Sequence, residues 1–68
     1  MNITFETEQE RDGRWLAEVP ELAGVMAYGA TESDAIARAE VLALRVLAER
    51  LEHNESGPMN VRIVIAAE

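Results

Sequence analysis

His53 is the only histidine in the chain, and Glu6, Glu8 and Glu10 follow one another at strand spacing. Carboxylates at that spacing project from one face of a strand, where they could hold a divalent cation or dock a basic partner. A histidine can act as acid, base or ligand, but each role needs a convergent partner group. Any Ser-His-Asp set would have to use this single histidine, and the absence of cysteine removes thiolate chemistry. Successive same-face glutamates more commonly protect a strand from aggregation, and a lone histidine near a helix end suits the helix dipole. Gly24, Gly29 and Gly57 are too scattered to cradle a phosphate, and neither a Walker nor a dinucleotide pattern occurs. Trp15 and Tyr28 could stack on bases, yet no basic residues interleave with them. Thr31-Glu32-Ser33-Asp34 could accept a phosphate but reads better as a helix start. The chemistry-bearing residues thus point to a non-enzymatic protein without metal or cofactor.

Those residues must be positioned by a single small domain over residues 1–68, of 7.5 kDa. A chain this short hides only about 60% of its unfolded surface, so its stability as a monomer is marginal. Thirteen acids against six arginines give a net charge of −7. Phosphate backbones repel that balance, which argues against direct nucleic-acid binding and favours a neutral or basic partner. No apolar run approaches the ~20 residues of a membrane span, and the N-terminus has no signal-peptide anatomy. With no cysteine either, a cytoplasmic protein is expected.

Residues 2–9 alternate, with Ile3, Phe5 and Thr7 on one face and Thr4, Glu6 and Glu8 on the other. That is a half-buried strand. Asp12-Gly13 signals a turn, and Trp15, Ala17 and Val19 carry the apolar face of a second strand. A two-residue loop would set Glu8 against Ala17 and Glu6 against Val19. An odd loop of three or five residues keeps the apolar faces together; the longer one pairs Thr7 with Ala17. Pro20 closes the second strand, Glu21 to Gly24 form a tight connection, and Val25 to Tyr28 make a short third strand. Gly29 permits a sharp turn, and Thr31 caps a helix running to about His53. The stretch from Asn54 to Pro58 ends it, with Gly57 as a C-terminal cap. Val61, Ile63 and Ile65 give a last strand. The expected fold is α+β: a βββαβ order, a mainly antiparallel sheet, one long helix on one face, and the last strand beside the first.

Apolar surface exceeds what one copy can hide. Twelve helical positions, from Ala35 to Leu51, sweep about 260° at 100° per residue, where a helix on one sheet needs little over ~100°. The sheet face opposite the helix also holds Leu16 and Val64. Such an excess marks an interface, so a homodimer or higher oligomer is expected, in contact through Val41, Leu44, Ala48, Leu51, Leu16 and Val64.

The run from Asp12 to Gly24 (DGRWLAEVPELAG), followed by Gly29-Ala30-Thr31-Glu32 and Ala35, resembles the HicB-like antitoxin family. Members read D-G-aromatic-x-A-x-V-P-[DE]-L-P-G-C, then a short strand, then G-[DE]-T-x-x-[DE]-A and a long helix. Trp15 stands at the aromatic, Val19-Pro20-Glu21-Leu22 match directly, and the likeness spans about residues 3–55. Ala23, Val25 and Ala30 depart from it. The resemblance implies a partial ribonuclease H-like βββαβ fold. It also implies a module that masks the active site of a small basic RNA-cleaving toxin of the HicA kind. The family's usual C-terminal DNA-binding domain has no counterpart here, so a solo domain is expected. Toxin contact is expected at Glu6, Glu8, Glu18, Glu21 and Arg62. The other reading is a stand-alone oligomeric scaffold or regulatory domain without a toxin.

Overall fold

The computed structural model describes residues 1–53 and 57–66. The strand alternation read from the sequence forms β1 (Asn2–Gln9), which buries Ile3 and Phe5 and exposes Glu6 and Glu8. The antiparallel β2 (Trp15–Glu18) sets Thr7 opposite Ala17 and Glu8 opposite Leu16. This is the register of the five-residue loop, residues 10–14. The Glu10 N–H donates to the Arg14 carbonyl at 2.7 Å, the Gly13 N–H donates to the Glu10 carbonyl at 3.0 Å, and Gly13 takes a φ of 92°. A residue with a Cβ would be strained there.

The corner after β2 is tied to itself and to the core. Val19 donates its N–H to Val25, Leu22 to Val19, and Val25 to Leu22, at 3.0, 3.0 and 3.1 Å. Leu22 and Val25 are buried. Because Val25 belongs to this corner, β3 spans Met26–Gly29, one residue later than the spacing suggested. It pairs antiparallel with β2.

Thr31 caps α1 (Glu32–His53): its Oγ1 accepts the Asp34 N–H at 3.0 Å, and its carbonyl accepts the Ala35 N–H. Gly29 serves this junction through space rather than backbone freedom. A Cβ at Gly29 would lie 2.5 Å from the Ala35 nitrogen, and its φ is not positive. Of the expected helix end, residues 54–56 lie outside the described part; Gly57 has a φ of 101°.

The last strand, β4 (Arg62–Ala66), lies parallel to β1, giving the order β3-β2-β1-β4. The architecture is α+β, a four-stranded mixed sheet with one helix on one face, and the last strand is beside the first. The core joins Ile3, Phe5, Ala17, Val19, Leu22 and Val25 to the helical Ala35, Ile36, Ala39, Ala43 and Leu47. Three of those helical residues are alanines, which let the helix sit close on the sheet. The helix backbone runs close over β3, β2 and β1 and not over β4. Ile63 and Ile65 share the face of Ile3 and Phe5 yet are 40% and 51% exposed, while their partners on β1 are fully buried. Among the described residues, no helix is long and apolar enough to cross a membrane.

Candidate partner-docking face

The sheet face turned away from the helix gathers most of the singled-out polar residues. Even-numbered residues of β1 point there, as do Leu16 and Glu18 of β2 and Arg62 and Val64 of β4. Glu6 stands directly opposite Glu18, and Glu8 opposite Leu16. Opposed like charges on neighbouring strands repel. Among the described residues the one ion pair is Arg14 with Asp12, at 2.8 Å, so no cation neutralises Glu6, Glu8 or Glu18. Arg62 lies on the same face but at the far end, opposite Asn2. Four of the five expected contact residues therefore share this face, with the three acids together.

Glu21 is set apart by a job of its own. It is exposed at the corner, but its Oε1 accepts the Thr4 N–H of β1 at 3.2 Å. That bond and its own backbone N–H hold the Glu21 carboxyl below its usual pKa. The contact spans seventeen positions and binds the corner to the start of the sheet. No short-range signal in Val19-Pro20-Glu21-Leu22 could reveal it.

A second polar group caps the hairpin end. Arg14 donates its backbone N–H and its Nε to the Asp12 carboxylate, at 3.0 and 2.8 Å, which lowers the Asp12 pKa. The Arg14 guanidinium also lies 4.5 Å over the Tyr28 ring, and the Tyr28 hydroxyl donates to Glu10 at 3.4 Å. Trp15, by contrast, packs half-buried against the core.

His53 is exposed in the last turn of α1, where a positive charge suits the dipole. Among the described residues, no group of three histidines or acids converges to hold a metal ion, and no pocket is enclosed.

The apolar residues expected at an oligomer interface fall on separate surfaces. Val41, Leu44, Ala48 and Leu51 follow one exposed stripe of the helix. Leu16 and Val64 are on the opposite sheet face from it, and on that face β1 lies between them. Leu16 is half-buried opposite Tyr28 and Glu8, while Val64 is exposed opposite Thr4. Six residues so placed cannot meet one flat partner together. The exposure of Ile63 and Ile65 has no signal in the sequence, because alternation shows which face is apolar and not whether anything covers it.

Searches of protein-family models, of curated proteins and of solved structures found nothing that matches this chain.

Proposed function

We propose that this protein is a non-enzymatic, antitoxin-like binding module whose acidic sheet face docks and occludes a small basic RNA-cleaving protein. The observation that carries this reading is the row in which Glu6 faces Glu18 with no cation beside either among the described residues, and Glu8 adjacent. Such an arrangement costs stability in the isolated domain and is relieved when a basic surface covers it. The sequence likeness to HicB-like antitoxins supports the same class of partner. In cells the module would be cytoplasmic and would reach no nucleic acid directly.

The test is light scattering of the protein alone and mixed with the product of an adjacent gene for a small basic protein. A heteromeric species that weakens with added salt is the expected result. Glu6→Arg with Glu8→Arg should abolish it while leaving the circular dichroism unchanged. Absence of a complex, or an affinity indifferent to the double variant, would reject the reading.

A separate observation favours the second reading, a self-associating scaffold or regulatory domain. Val41, Leu44, Leu51, Ile63, Val64 and Ile65 are all 40–51% exposed, and exposed apolar side chains grouped on a helix stripe and a strand edge mark places where another surface can dock. Self-association is common to both readings. Only a cognate toxin separates them.

A further inference from the structure

The two edges of the sheet are finished differently. At the β3 edge, the Tyr28 carbonyl already accepts a hydrogen bond from Arg38 Nη1 of the helix, at 3.2 Å. That strand is also only four residues long and ends in Gly29. Both features blunt an edge against pairing. The β4 edge has no such protection among the described residues. Its five residues, Arg62-Ile63-Val64-Ile65-Ala66, contain no proline, glycine or bulge and are all exposed.

The direction of its free polar groups follows from one bond. The Arg62 N–H donates to the Met1 carbonyl at 2.9 Å, so residues 62, 64 and 66 turn their N–H and C=O groups towards β1. Ile63 and Ile65 must then turn theirs outwards. We infer that this edge pairs antiparallel with the β4 edge of a second copy, across a two-fold axis at Val64, to make a continuous eight-stranded sheet. The inference deepens the self-association reading above and is independent of the toxin.

Three features select a second copy as the occupant. The strand is centred on Val64, so the two-fold pairing overlaps it completely, with Ile63 opposite the partner's Ile65. In that register Ile63 and Ile65 form the hydrogen-bonded pairs, four bonds in all, which uses every outward N–H and C=O of the two residues. Opposed residues also keep their faces: Ile63 and Ile65 meet on the helix side, Val64 meets its own copy on the other.

The third feature is charge. Arg62 comes opposite the partner's Ala66, and Ala66 is itself opposite Glu6 on β1. Each arginine is thereby brought, over a methyl group, towards the opposed pair of the partner's Glu6 and the partner's Glu18. Among the described residues, no other residue of the outer face supplies a cation to that row. The pairing leaves Val41, Leu44, Ala48 and Leu51 outside it, so the helix stripe and the strand edge can be tested separately.

The experiment uses the chain's lack of cysteine. Opposed residues of a non-hydrogen-bonded pair lie about 4.5 Å apart at Cα, within the reach of a disulfide. Val64→Cys should therefore form a covalent dimer rapidly with oxidised glutathione, and Met26→Cys at the other edge should not. In light scattering the unmodified protein should give twice the mass of the 7.5 kDa chain. Ile65→Pro removes an outward N–H without touching the ladder to β1, and should halve that mass with the circular dichroism retained. A dimer that survives Ile65→Pro but falls apart with Leu44→Arg and Leu51→Arg would keep self-association and overturn the strand pairing. Equal cross-linking at positions 26 and 64 would overturn it too. A monomeric unmodified protein would overturn both.

Discussion

Gly29 and Ala35 touch so closely that no side chain fits between strand and helix: a Cβ on Gly29 would sit 2.5 Å from the Ala35 backbone nitrogen and 2.9 Å from the Asp34 Cβ. Both obstacles belong to the capped first turn of α1, where Thr31 holds the Asp34 N–H. The turn cannot retreat without breaking that cap, because the same residues carry both constraints. Gly29→Ala should therefore destabilise the domain by about 2 kcal/mol, in the range of overpacked cores. For a chain of this size that lowers Tm by about 10 °C. Gly24→Ala, at a position with open space but a φ of 81°, should cost less, about 1 kcal/mol, from backbone strain alone. Thermal melts of the two variants at one protein concentration would compare a steric cause with a conformational one.

The pair Glu6 and Glu18 makes a prediction of opposite sign. Opposed like charges cost and opposed unlike charges help, each by roughly 0.2–1 kcal/mol. Glu18→Lys converts the first case into the second, and both positions are exposed, so no core contact is disturbed. The variant should be more stable than the parent by about 0.5 kcal/mol, measured by urea denaturation. On the docking reading the same change should weaken a basic partner. Gain in stability with loss of binding is a combination that damage to the fold cannot produce.

Much of this architecture is legible in the sequence because its signals are local. The alternation of Ile3 and Phe5 with Thr4 and Glu6 marks β1, parity arithmetic limits the hairpin loop to odd lengths, and Thr31 announces its own helix. What stays hidden depends on contacts between distant positions. Val25 looks like the first residue of a strand until its bonds to Val19 and Leu22 show it to be part of the corner. Gly29 reads as a residue that permits a sharp turn, whereas its lack of a Cβ beside Ala35 is the point. Ile63 and Ile65 read as part of a last strand; only the helix's path over the other three strands reveals them as exposed. The candidate site was legible as a face, Glu6, Glu8 and Glu18 together, and illegible in Glu21, whose work is done at Thr4.

That contact with Thr4 gives the last prediction its sign. Hydrogen bonds from its own N–H and from the Thr4 N–H hold the Glu21 carboxyl below its usual 4.5 in the folded protein. A carboxyl depressed on folding adds stability that is fully present above the unfolded pKa and is lost as pH falls through the folded one. Asp12, held below 3.8 by the Arg14 N–H and guanidinium, acts in the same direction at slightly lower pH. Both groups are exposed, so each contribution is small and screened by salt. Glu21→Gln keeps an oxygen for the Thr4 N–H but cannot titrate. The parent should therefore exceed the variant in stability at pH 7, and the gap should close as pH falls below the usual 4.5 and through the lowered folded value. Urea denaturation at a fixed protein concentration across that window measures it directly. A gap that stayed constant with pH would mean that the Thr4 bond does not distinguish the charged carboxylate from the neutral amide.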